Sequence, residues 1–455
     1  MMSQHSHKNN TQKQIINLTN TTMKRFFITL AVALMIVPTV FAQSGDSGKA
    51  LKALAKAKDA IAKKQDAATW IKLGNAYADC YDAPINGLFL KNSMDQTNLL
   101  LKGQVRLGME QKEINGKTYN VVTYIDKEVY YTENGVLMGY KVIKPLTEDN
   151  PLEKCLEAYD KAVEKGAADK DMNPLYVALA KRHWDAAMVA YNMQDYNAAS
   201  TEFEQSYLIN KRPAVDALDT NAIIYAGIAS VLAKDSKRSI DIFEKCVDLN
   251  VADGDIIAML ADSYKAQGDT TKCKEILNKG FERFPTNQGI LVSLINTYLE
   301  TNDDPEKIIV VLKKAQENEP TNASLVYAEG NLYKNMKQYD KCIELYRKAA
   351  ELNPTYVFAP YNEGDTYYQM ALDLQDKASA EPDDNKFMEL NNQMNDCLKK
   401  AIEPFERAFS IAEDPEIKRG CAEYLKQIYF RFRDEKPEYQ ANYDKYHKFL
   451  EGAAN

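Results

Sequence analysis

Histidine is almost missing from this chain, with four residues in 455, and two of them, His5 and His7, precede an apolar stretch read below as a removable leader. His183 and His447 are then too few for a histidine metal cage or a histidine-based triad. Other chemical signatures are missing as well: there is no Cys-x-x-Cys, no His-Glu-x-x-His and no Gly-x-Ser-x-Gly. Gly116-Lys117-Thr118 ends like a phosphate-binding loop, but Gln111 stands where the first glycine belongs and no helix is predicted to follow. Positive charge is also short. The net charge is −8, and it becomes −12 once residues 1–42, with four basic and no acidic residues, are set aside. Such a chain is not expected to bind nucleic acid or an anionic membrane surface. Beyond residue 42 no apolar run approaches the roughly 20 residues that span a bilayer. The sequence therefore argues against an enzyme and calls for no cofactor and no metal.

Met23-Lys24-Arg25, the apolar run Phe26 to Val37 and then Val40-Phe41-Ala42 have the charged start, apolar middle and small-residue exit of a secretory signal peptide over 23–42. Cleavage is predicted before Gln43, and residues 1–22 read as a polar upstream extension from an over-called start. Without cysteine at the first mature position there is no site for a lipid anchor. The expected location is the periplasm of a Gram-negative envelope, with secretion as the alternative.

Seven cysteines are an odd number with no framework spacing. Cys155, Cys273 and Cys342 fall at matching places on successive predicted helices, as small buried hydrophobes would. Cys80 and Cys155, expected on paired helices, are the one pair worth testing as a bridge.

Self-similarity is the strongest signal present. "LVYAEGNLYKNMKQYDKCIELYRKAAELNP" (325–354) aligns with "IIAMLADSYKAQGDTTKCKEILNKGFERFP" (256–285) and "IIYAGIASVLAKDSKRSIDIFEKCVDLN" (223–250). Each reads as two amphipathic helices that cannot bury their apolar stripes alone. Gly330, Tyr333, Tyr339, Cys342, Tyr346, Ala349 and Pro354 follow one another as in a tetratricopeptide unit of about 34 residues. The chain thus resembles the tetratricopeptide-repeat family. The resemblance implies an all-α solenoid of helical hairpins wound as a right-handed superhelix. A helix over 43–65 comes first, and six units fill 175–413. A capping pair closes the chain at 416–449.

The first unit, 66–168, is split. Trp70, Leu73, Gly74 and Tyr77 mark a first helix, but Asp82-Ala83-Pro84 follows instead of a partner. "PLEKCLEAYDKAVEKGAA" (151–168) supplies the missing helix as Cys155, Tyr159 and Ala162. The looped-out stretch, about 84–148, carries Asn115-Gly116 and Asn134-Gly135 between segments rich in Val, Tyr and Thr. It is predicted to be an antiparallel sheet of three or four strands, begun near Gln104 to Met109. Residues 84–101 show no clean period. Closing so large a loop costs only about 0.6 kcal/mol per doubling of length.

By resemblance, the first helices line a concave groove that holds an extended partner segment or helix. The place after the usually small residue is Asn75, Met188, Ile228, Asp262, Asn296, Asn331 or Asp365, with Ile295 breaking the small-residue rule before Asn296. Lys72, Asp185, Tyr191, Tyr225, Tyr327, Tyr361, Asn362 and Tyr368 lie along the same stripe. Asparagine amides would bond a peptide backbone, and tyrosines would give broad contact with a polar tip. The basic clamp by which some relatives hold a C-terminal carboxylate is not reproduced, which points away from acidic chaperone tails. The carboxylate pairs Asp303-Asp304 and Asp383-Asp384 sit in predicted turns, where helix capping explains them. The first expectation is accordingly a non-enzymatic scaffold in the cell envelope. The inserted sheet would offer strand edges as a second contact or wall off one end of the groove. A second reading makes the chain a soluble receptor for a small ligand such as a glycan, stacked on Tyr119, Tyr124, Tyr130, Tyr131 and Tyr140.

Overall fold

The computed structural model describes residues 47–301 and 304–452. The signal-peptide and extension assignments (1–42), and Asp303, lie outside the described residues. The chain divides into two units, one ending at Gly280 and one beginning at Phe281.

The first unit opens with α1 (Ser47–Lys63) and α2 (Ala67–Ile85). Asp66 starts α2 through a capping box: its side chain accepts from Thr69 N at 2.9 Å, and its own N–H donates to Thr69 Oγ1 at 3.1 Å. Pro84 falls in the last turn of α2, where only one helical bond is forfeited. A short helix α3 (Met94–Leu100) and four strands follow, namely β1 (Arg106–Ile114), β2 (Lys117–Tyr124), β3 (Lys127–Tyr131) and β4 (Leu137–Val142). The strands form one antiparallel sheet in the order β1-β2-β3-β4. Asn115 and Gly116 turn β1 into β2 with φ of 52° and 73°, the left-handed conformation a two-residue hairpin loop needs. One face of the sheet buries Val122, Tyr124, Val129 and Tyr131 with Leu88 and Leu101. Tyr119, Val121 and Tyr130 on the other face pack with Met138 and Met193.

Then come α4 (Pro151–Glu164), α5 (Asp169–Asn192), α6 (Tyr196–Asn210), α7 (Thr220–Leu232), α8 (Ser236–Asp248), α9 (Gly254–Ala266) and α10 (Thr270–Arg283). The partner of α2 is α4: Leu73, Ala76, Tyr77 and Cys80 share a buried core with Leu152, Cys155, Ala158, Tyr159 and Ala162. The first hairpin is complete, with the sheet looped out between its helices. Cys80 and Cys155 are not bridged; none of the seven cysteines forms a disulfide, and all are buried. Burial pushes the Cys246 thiol up to about 11, which makes it inert.

The second unit contains α11 (Gln288–Glu300), α12 (Pro305–Asn318), α13 (Ala323–Asn335), α14 (Tyr339–Leu352), α15 (Phe358–Ser379), α16 (Asp384–Ile411), α17 (Pro415–Phe432) and α18 (Pro437–Gly452). Asp304 caps α12 by accepting from Glu306 N, and Asp383 caps α16 by accepting from Lys386 N. These carboxylates are engaged at helix starts.

One contact recurs through both units. A glycine on a first helix lies against an aromatic ring of its partner helix: Gly74 on Tyr159, Gly227 on Phe243, Gly330 on Tyr346 and Gly364 on Phe405. A Cβ at Gly330 would stand 2.8 Å from the Tyr346 ring, so only glycine admits the ring there. Burying such a ring contributes about 1.5–3 kcal/mol.

Candidate partner-binding surface

The asparagine after the glycine is fixed by the same packing. Tyr159 donates its hydroxyl to Asn75 Oδ1 at 2.7 Å, and Tyr346 donates to Asn331 Oδ1 at 2.7 Å. Where the ring is phenylalanine, the following residue is Ile228 or Asp365 instead. Each of these asparagine oxygens is therefore occupied within the fold, which holds each side chain in one orientation, and the Asn331 amide also reaches Tyr327.

In the first unit Lys72 is exposed and Asn75 half-buried on α2. Asp185 on α5 is exposed and pairs with Lys181 at 2.5 Å. Beside it Arg182 grips Asp82 of α2 with two nitrogens, Nε to Oδ1 at 3.0 Å and Nη2 to Oδ2 at 2.6 Å. Tyr225 packs on Trp184 and Phe203, with ring centroids 5.7 and 5.6 Å away. Burial, and then its neighbour Tyr196, pushes Tyr191 up to about 12. Asp262 is exposed on α9.

The inserted sheet rests on this stripe. Asn192 Nδ2 donates to Met138 O at 3.1 Å, and Gly139 of β4 lies directly against Met193. Burial and then Asp185 hold the Tyr140 hydroxyl well above its usual range. Asp185 thus borders the sheet, while Tyr225 and Asp262 lie on later helices.

The tyrosines proposed as a sugar platform are placed otherwise. Tyr119, Tyr124, Tyr130 and Tyr131 are 0–5% exposed, because both sheet faces are used as core. Only Tyr140 is even half-buried. The sheet offers no aromatic platform, which removes the ground for the glycan reading.

In the second unit the stripe is denser. Asn296 is half-buried on α11. On α13 and α15, Asn362 Nδ2 donates to Tyr327 OH at 2.8 Å, and Lys334 Nζ donates to Asp365 Oδ2 at 2.5 Å. Tyr424 of α17 donates to Asp365 Oδ1 at 3.0 Å, and Tyr368 donates to Gln427 at 2.8 Å. Tyr361 and Tyr368 meet the Tyr424 ring edge-on, at 6.4 and 4.9 Å. Burial, then Asp365, raises the Tyr424 hydroxyl far above its ordinary value. Two expected contact residues are buried, Tyr327 at 8% and Asp365 at 7% exposure. Tyr327 packs among Tyr346, Tyr356 and Phe358, so it serves as floor. Asn331, Tyr361, Asn362 and Tyr368 remain half-exposed above it.

Lys334 and Tyr424 complete this network and were not singled out in the sequence. Lys334 lies one turn beyond Asn331 on the same face, and that spacing was the available signal. Among the described residues, no group of three or more His, Cys, Asp and Glu side chains could hold a metal ion, and no helix is long and apolar enough to cross a membrane.

The tetratricopeptide-repeat family profiles match residues 254–287 and 327–356. No curated protein matches the sequence. Among solved structures, the chain is similar to YrrB, described as a TPR protein with an unusual peptide-binding site, at 17% identity over 44% of this chain and 94% of that one, with a TM-score of 0.30. It is similar to MamA at 20% identity, covering 41% and 92%, with a TM-score of 0.30. It is also similar to the C-terminal part of a TPR repeat-containing protein from Cytophaga hutchinsonii at 14% identity, covering 58% and 92%, with a TM-score of 0.40.

Proposed function

We propose that this tetratricopeptide-repeat protein is a non-enzymatic scaffold of the bacterial envelope, holding an extended segment of a protein partner along the first helices of its second unit. The observation that carries the reading is the state of Asn331. Its oxygen is held by the Tyr346 hydroxyl and its amide also reaches Tyr327, so the side chain is fixed in place before any partner arrives. Tyr361, Asn362 and Tyr368 flank it with broad half-exposed surface. The one cation of the network, Lys334, is neutralised by Asp365, which suits an uncharged stretch of backbone better than an acidic chain end. The apolar leader expected over 23–42 supports the envelope as the place of action.

Asn331→Asp keeps an acceptor for Tyr346 and removes the amide donor, and its unfolding midpoint is read beside its affinity because the amide also contacts Tyr327. Extended peptides selected from a random library on the purified chain should bind the variant at least about tenfold more weakly, a loss of roughly one charge-assisted or well-placed hydrogen bond. Unchanged affinity, with an unchanged unfolding midpoint, would remove the groove from the account.

A further inference from the structure

The two edges of the inserted sheet are treated differently. At β4 the start of the edge is covered: Lys91 N donates to Leu137 O at 2.9 Å, Leu137 N donates to Asn92 O at 2.8 Å, Ser93 bridges Val136, and Asn192 Nδ2 donates to Met138 O at 3.1 Å. At β1 no described residue pairs with the outer side of the strand. The strand is nine residues long and exposed over most of its length. The apolar layer also runs out toward it. Val122 is 0% exposed, but Met109, its cross-strand neighbour on the same face, is 47% exposed. An open edge of this length is a template for another strand.

The hairpin geometry says which backbone groups are available. Ile114 and Lys117 flank the two-residue turn, so they exchange hydrogen bonds, and the alternation continues through Lys112↔Tyr119 and Glu110↔Val121. Met109, Gln111 and Glu113 therefore turn their N–H and C=O groups away from β2. We propose that β1 pairs antiparallel with β1 of a second copy of this chain, about a two-fold axis through Gln111, joining the two sheets into one. In that register Gln111 faces Gln111, and Met109 of each copy faces Glu113 of the other. All three outward residues then form hydrogen-bonded pairs.

Charge selects the same register. Glu110 of one copy falls opposite Lys112 of the other, twice by symmetry, on the face that already carries Lys112 between Glu110 at 3.1 Å and Glu128 at 2.8 Å. Moving the axis to Glu110 sets that carboxylate against itself. Moving it to Met109 brings Lys112 opposite Arg106. Opposite charges across strands are favourable and like charges are not.

Sedimentation equilibrium on the purified chain should show a monomer–dimer equilibrium. Glu110→Lys or Lys112→Glu alone should weaken it about tenfold, and the double exchange should restore it, because each lysine again meets a glutamate. Gln111→Cys should form an interchain disulfide on mild oxidation and Glu113→Cys should not, the seven native cysteines being buried. A chain that stays monomeric overturns the proposal. So does a dimer indifferent to the single exchanges, or one in which Gln111→Cys fails to link, including the case where β1 substitutions abolish only the capture of a different protein.

Discussion

At the scale of single residues, the hydrogen bond between Asn331 and Tyr346 ties α13 to α14. The hydroxyl needs an acceptor because burial lifts it well above its ordinary range and keeps it neutral. A double-mutant cycle between Asn331→Ala and Tyr346→Phe should give a coupling of about 0.5–1.5 kcal/mol in urea unfolding. Additive losses would mean that the bond contributes nothing. This link was present in the sequence, since Gly-Asn accompanies a tyrosine in two units (Gly74-Asn75 with Tyr159, Gly330-Asn331 with Tyr346). Gly-Ile and Gly-Asp accompany phenylalanine at Phe243 and Phe405. Reading it requires knowing which second helix meets which first helix, and periodicity alone does not supply that. Tyr327 and Asp365 illustrate a related difficulty. A stripe position shows which way a side chain leaves its helix but not how deeply the next hairpin covers it. Phe358 and Tyr424 cover these two.

At the scale of elements, the split hairpin shows how far local signals reach. The glycine–aromatic spacing picked out α4 as the mate of α2 across the whole insertion, and the Asn115-Gly116 turn marked the β1–β2 hairpin. Helix α3 was not legible, because of its seven residues only Thr97 is buried, while Leu99 and Leu100 are exposed at 73% and 51%. No apolar period can form from that pattern. The sheet tyrosines misled for the converse reason. At β2 and β3 both faces of this sheet are covered, so the in-out alternation that separates core from surface is lost there. Because α2 and α4 share their own core, replacing residues 86–148 with a glycine-rich linker of matched reach should leave their amides protected in hydrogen exchange. Loss of protection over both 67–85 and 151–164 would show that the sheet, and not the hairpin, holds the first unit together.

At the scale of the whole molecule, each unit is a stack of hairpins whose first helices carry the half-exposed polar and aromatic residues. The two differ in what lies on that stripe. In the first unit the chain's own sheet borders it near Asp185 and Met193, whereas in the second Asn331, Tyr361, Asn362 and Tyr368 are half-exposed. A photo-reactive amino acid placed at Tyr361 or Tyr368, and for comparison at Lys348 on the second helix α14, tests this in living cells. Cross-links to one envelope protein from the first-helix positions, absent from Lys348 and lost with Asn331→Asp, are the predicted result. Equal labelling from Lys348, or labelling at Tyr361 and Tyr368 that Asn331→Asp leaves untouched, would contradict it.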